Sequence, residues 1–153
     1  MAPDGPKLRL APAARLLFSC FRARADNGWA VALAAVVPPQ PPVDPAAPGP
    51  FAFGDPQRVE AILVAAGWTE IAIKPVDYAM IAGEGAHAIE DATAYFQRIG
   101  PVARAMAELA PPRRAAAGER LRDLLARHCV AGRVSLPAAA WIVSARSPPP
   151  GRL

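Results

Sequence analysis

The sequence RLLFSCFR at residues 15–22 and the sequence AAAWIVSAR at residues 138–146 decide the fold class. Both are nearly continuous apolar runs, the pattern of strands that are covered on both faces of a sheet. The chain between them changes to helical spacing, with Asp55 and Pro56 at one helix start and Gly67 at its end. We therefore predict an α/β domain in which buried strands alternate with helices.

A third strand is predicted at residues 71–80, with a bulge at Pro75 where the apolar phase changes. Because proline removes a backbone donor, this strand is expected at a sheet edge. Residues 38–50 contain seven prolines and predict an extended surface loop. Residues 86–128 predict a helical insertion before the last strand. The predicted boundaries are an extension at residues 1–14, a domain at residues 15–147 and a disordered tail at residues 148–153.

Composition excludes several classes of protein. The chain is 53% hydrophobic and 20% charged, which is too apolar for a disordered protein. The formal net charge is +4, but the arginines are scattered and not interleaved with aromatics, so no nucleic-acid partner is expected. The apolar run at residues 16–21 is too short to span a bilayer, so no membrane partner is expected. Cys20 and Cys129 lie far apart without a CxxC motif, which fits a reducing cytoplasm.

The two histidines are the obvious candidates for acid–base or metal chemistry. His87 has acidic neighbours, but it falls in the first turn of a predicted helix, where acids favour the helix dipole. His128 beside Cys129 supplies only two metal ligands. No serine lies in a G-x-S-x-G turn. We predict no metal site and assign no catalytic residue.

The order of the segments and their amino-acid sequences resemble the carboxyl-terminal half of class I S-adenosylmethionine-dependent methyltransferases. In that family a helix ending in a sequence such as LRALRPGGRL leads into the fifth strand. Here LRLAPAARLLFSCFRA stands at residues 8–23, with Ala13 and Ala14 in place of the glycine pair. The segments ADNGW, FAFGDP and LPAAAWIVSAR are similar to those of one bacterial subgroup; they occupy residues 25–29, 51–56 and 136–146.

The resemblance implies a partial Rossmann-like sheet with strands in the spatial order five, seven, six. Residues 138–146 would then run antiparallel between residues 16–21 and residues 71–80. Three strands cannot form a doubly wound sheet, so we also expect a neighbour beside the first strand.

The resemblance also implies S-adenosylmethionine as cofactor, held in that family by a glycine-rich turn after the first strand. No such turn precedes residue 15, and Gly83-Glu84-Gly85 follows a predicted edge strand and is interpreted as a plain turn. We therefore assign no cofactor-binding residue. The chain is expected to be truncated, methyltransferase-like and inactive alone.

Four residues are candidates for an acceptor-substrate pocket. Asn27 and Trp29 follow the carboxyl end of the first strand, where open α/β sheets bind ligands, although packing and helix capping would also explain them. Phe51 and Phe53 either close the same pocket or fasten the proline-rich loop to the core. The alternative function is a binding or assembly partner, a homodimer or a complement of the missing half, that uses an unpaired strand edge.

Overall fold

The computed structural model describes residues 13–42 and 44–148. The predicted α/β class is confirmed for this part of the chain. Most of the predicted extension at residues 1–14 and of the tail at residues 148–153 lies outside the described residues. The strands are β1 (Arg15–Phe21), β2 (Thr69–Glu84), β3 (Cys129–Val130) and β4 (Arg133–Arg146). The α-helices are α1 (Gly28–Ala34), α2 (Pro56–Ala65), α3 (Ala88–Arg98), α4 (Gly100–Ala107) and α5 (Pro111–Arg127).

The long strand β4 is the centre of the sheet, and it runs antiparallel to β1 on one side and to β2 on the other. Phe18 of β1 and Ile73 of β2 both pair with Val143, which is fully buried. The predicted position of residues 138–146 between the other two strands is therefore confirmed. The two-residue strand β3, which forms a hairpin with β4, was not predicted because so short a segment carries no periodic signal.

The predicted bulge at Pro75 is wrong. Pro75 pairs with Trp141 in unbroken register, and the irregularities lie near the two ends of β2, between Thr69 and Ala72 and after Ile81. In the described sheet β2 has β4 as its single long neighbour, which confirms the predicted edge position. Half of the backbone N–H groups of an edge strand point away from the sheet, so proline fits there without distorting the ladder.

The prediction that β1 is covered on both faces is wrong for the described part of the chain. Its residues alternate between exposed and half-buried as far as Cys20. Leu16 and Phe18 pack against Val59 and other residues of the small core beneath α2. Leu17 points to the opposite face and is 73% exposed, because no described element covers that end of the sheet. An apolar sequence shows that a strand has good β-propensity, but the number of covering layers depends on distant segments.

The larger core lies on the other face, where α1 and α3 contact β4 and α5 packs against α1 and α3. Leu121 and Leu125 of α5 and Leu136 of β4 are fully buried there. The start of α3 approaches β2 so closely that a Cβ atom added to Gly83 would stand 2.0 Å from the carbonyl oxygen of Ala88. Glycine at this position is therefore required by backbone packing.

Candidate functional site

Asn27 lies just beyond the carboxyl end of β1, and its side chain is fully buried. Its Nδ2 group donates hydrogen bonds to the carbonyl oxygens of Arg22 at 3.2 Å and Ala23 at 3.1 Å. Its Oδ1 atom accepts from the backbone N–H of Ala139 at 2.9 Å and from the indole N–H of Trp29 at 3.1 Å. Asn27 also occupies the N-cap position of α1, but its side chain forms no capping bond. The amide instead ties together β1, α1 and β4 and sets the orientation of Trp29.

Three aromatic rings cluster next to Asn27. The ring centroids of Trp29 and Phe51 are 5.6 Å apart with an angle of 32° between the planes. Phe21, the last residue of β1, lies 5.3 Å from Trp29 and 6.0 Å from Phe51. These separations fall in the range that favours aromatic packing. Phe51 therefore fastens the end of the proline-rich loop to the residues that follow β1.

A cavity of about 390 Å³ opens against this cluster, between α1, the proline-rich loop and α4. Trp29 and Phe51 line the cavity. Asn27 is not a lining residue, but its Oδ1 atom accepts the indole hydrogen bond of Trp29. The remaining walls are largely apolar side chains of α1, the turn that follows it and α4, namely Ala30, Leu33, Ala34, Val37, Pro39, Pro101, Val102 and Ala105. Polar side chains at the lining are Arg24, Gln40, Arg104 and Glu108.

Two arginines of α5 hold the walls of the cavity in place. The guanidinium of Arg120 donates two hydrogen bonds, at 3.0 and 2.9 Å, to the carbonyl oxygen of Val36 beside the wall residue Val37. Arg114 donates to carbonyl oxygens in the last turn of α4 and just after it, including those of Met106 and Leu109. A guanidinium that binds several carbonyl groups satisfies the free acceptors at a helix end. The positions of α1 and α4 are thereby fixed relative to each other.

Phe53 lies away from this cavity. Its ring packs 6.4 Å from that of Phe18, and its carbonyl oxygen is 3.8 Å from the Sγ atom of Cys20. Burial raises the pKa of the Cys20 thiol, so at neutral pH the thiol is protonated and is not an activated nucleophile. Of the four candidate residues, the structure therefore brings Trp29 and Phe51 together at one cavity, places Asn27 behind it and leaves Phe53 beside β1.

His87, His128 and the acids near His87 lie outside the cavity lining, whose single carboxylate is that of Glu108. His87 is the N-cap residue of α3 without a side-chain capping bond, and His128 ends α5. The Glu90 carboxylate accepts a hydrogen bond from Arg122 at 2.8 Å. A backbone hydrogen bond and the Arg122 contact lower the pKa of Glu90, so this carboxylate stays charged in a surface ion pair. Within residues 13–42 and 44–148, no three His, Cys, Asp or Glu side chains form a group that could hold a metal ion.

The segment Gly83-Glu84-Gly85 does not have the geometry of a glycine-rich cofactor turn. Gly83 and Glu84 end the antiparallel strand β2, and the space beside Gly83 is filled by the backbone of Ala88. A glycine-rich cofactor turn instead leaves that space open for the ligand. What the described side chains offer chemically is a place to bind and orient a small molecule.

The contribution of α4 to the cavity was not predicted from the sequence. Val102 and Ala105 supply apolar wall area, and Arg104 and Glu108 supply charge at the lining. The spacing of Val102 and Ala105 by three residues is a helix-face signal. That spacing predicts that the two residues share a face, but it carries no information about which part of the molecule the face meets.

The fold and the cavity define an α/β domain with an apolar pocket of small-molecule size beside the carboxyl end of a sheet strand. No protein-family model matches the chain, and no curated protein matches it. None of the helices described for this protein is both long and apolar enough to cross a bilayer.

Proposed function

We propose that this chain is the acceptor-binding half of a Rossmann-like, class I methyltransferase that acts on a small molecule. The observation that carries the proposal is the cavity lined by Trp29 and Phe51. It lies next to the carboxyl end of β1, and open α/β sheets bind their ligands at that end of the strands. Its volume of about 390 Å³ falls in the range of small-molecule pockets.

Two further features of the backbone support the proposal. The strand order β1, β4, β2 is the order expected for strands five, seven and six of that family. Ala13 has a φ of 57°, in the left-handed region that favours glycine. The resemblance to the family aligns Ala13 with the first glycine of a glycine pair, so its conformation agrees with the turn expected there.

In this proposal the described residues bind and orient the acceptor, and S-adenosylmethionine supplies the methyl group. Positioning of two reactants accounts for much of the rate in such a reaction, so no catalytic acid or base is assigned. The cofactor would be held by polypeptide beyond the described residues, in the same chain or in a partner. We therefore expect the 153-residue chain to be inactive by itself. A reducing compartment such as the cytoplasm is proposed because Cys20 and Cys129 are both free thiols.

Calorimetric titration with S-adenosylmethionine tests the cofactor part of the proposal. We expect no binding by the 153-residue chain at about 1 mM ligand. The genomic DNA upstream of the coding region should then be read in all frames for a strand followed by a glycine-rich turn. A polypeptide extended through such a segment is expected to bind the cofactor. Submillimolar binding by the shorter chain, or failure of every extended polypeptide to bind, would contradict the proposal.

A second candidate function is assembly through the free edge of β1. Within the described residues β1 pairs with β4 alone, and Leu17 on this strand is 73% exposed. An apolar strand with one unpaired edge is a template for pairing with another strand, in a second copy or in a missing-half partner. Size-exclusion chromatography with light scattering separates the two functions, because a monomer at every concentration tested would argue against self-assembly.

A further inference from the structure

We propose that the cavity beside Trp29 selects a flat, apolar ligand that carries an anionic group such as a carboxylate. The inference rests on the proposed function for the ligand's role as methyl acceptor. The binding preference itself rests on the side chains that line the cavity.

The walls favour a flat apolar body. Trp29 is 8% exposed and Leu33 1% exposed, and Val102 and Ala105 are buried on the opposite side. The indole of Trp29 is held by its hydrogen bond to Asn27, so this surface is formed before a ligand arrives. A rigid aromatic wall binds a planar ring system at little entropic cost. The volume of about 390 Å³ is at the lower end of the usual range, which restricts the ligand to a small ring system.

The charges at the lining favour an anion. Arg24 and Arg104 both reach the cavity, and Glu108 is the single carboxylate among the lining residues. Neither guanidinium has a hydrogen bond or ion pair with any described residue. The nearby acid Asp26 pairs with Arg22 at 3.4 Å, which leaves the charge of Arg24 without a partner. Guanidinium groups bind carboxylates with charge-assisted hydrogen bonds, so two available arginines beside apolar walls match an aromatic acid.

Calorimetry with two probes of the same shape tests this preference on the full chain. The probes are 2-naphthoate, which is anionic at pH 7, and 2-naphthamide, which is neutral. We expect 2-naphthoate to bind about tenfold more tightly, the usual gain from one hydrogen bond to a charged group. The double substitution Arg24→Gln with Arg104→Gln should remove this difference and leave the affinity for 2-naphthamide unchanged. Since both arginines are exposed and have no described partner, the variant is expected to fold normally.

Arg58→Gln is the matched control, because Arg58 is an exposed arginine of α2, which packs on the smaller core away from the cavity. This variant should retain the full preference for 2-naphthoate. Equal affinities for the two probes would overturn the anion selectivity, and a preference that survives the double substitution would overturn its assignment to Arg24 and Arg104. Either result would leave the acceptor pocket standing. Absence of binding by either probe at about 1 mM would overturn both the inference and the acceptor pocket.

Discussion

Replacing Asn27 with alanine removes four hydrogen bonds from the buried junction of β1, α1 and β4. The backbone N–H of Ala139 and the indole N–H of Trp29 both lose their acceptor. An unsatisfied buried donor costs about 1–3 kcal/mol, so the two together give about 2–6 kcal/mol. A water molecule that enters the vacated space restores part of this loss. We expect the free energy of unfolding to fall by about 3–4 kcal/mol, a large part of the total for a small domain.

Urea unfolding followed by circular dichroism measures this change in the free energy of unfolding. Two further variants serve as a second test and as a control. Asn27→Asp keeps oxygen acceptors for Ala139 and Trp29, but it turns oxygen atoms toward the carbonyl groups of Arg22 and Ala23. Its cost should therefore equal or exceed that of the alanine variant. Gln40→Ala removes an exposed amide with a single hydrogen bond to a neighbouring loop residue and should cost less than about 0.5 kcal/mol. A loss below about 1 kcal/mol in Asn27→Ala would refute the argument that this amide holds the junction together.

Three further substitutions test the edge, the close packing and the first turn. Leu17→Asp should abolish any concentration-dependent association measured by light scattering, whereas Val130→Asp, at a residue 75% exposed and distant from the β1 edge, should not. Gly83→Ala should destabilise the fold by about 2 kcal/mol or more, because its Cβ would meet a carbonyl oxygen at 2.0 Å. Gly118→Ala, in the interior of α5, places its Cβ 3.2 Å from Nε2 of Gln97, the end of a flexible side chain that can move, and should cost far less than Gly83→Ala in the same urea experiment. Ala13→Gly should stabilise by about 1 kcal/mol by relieving its positive φ, and a loss of stability would argue against that turn.

Features that depend on neighbouring residues could be predicted from the sequence. The Asp55 carboxylate accepts a hydrogen bond from the backbone N–H of Gln57 at 2.9 Å, as expected for a residue that begins a helix. Gly67 follows the end of α2 with a φ of 86°, as expected for a helix stop. Both outcomes depend on backbone conformation and capping within a few residues, which a local pattern contains. The strand order followed from the resemblance of separate segments to one family.

Features that depend on packing between distant segments could not be predicted in this way. The apolar sequence of β1 indicated a strand but did not reveal that Leu17 lies on a face without a covering layer. Trp29 was a candidate for a pocket, yet the opposite wall comes from α4, whose sequence showed only a helix face.

The sequence by itself determined the helical regions, the three long strands and the edge position of β2, and it made Trp29 and Phe51 candidates for a pocket. These features follow from periodicity, proline chemistry and the order of the segments. Only the tertiary structure decided that the two rings line one cavity and that Asn27 accepts the hydrogen bond that orients Trp29. The physical reason is that the Asn27 amide bonds to Ala139, 112 residues further along the chain. Such a contact requires β4 to lie between β1 and β2, which a local sequence pattern does not specify.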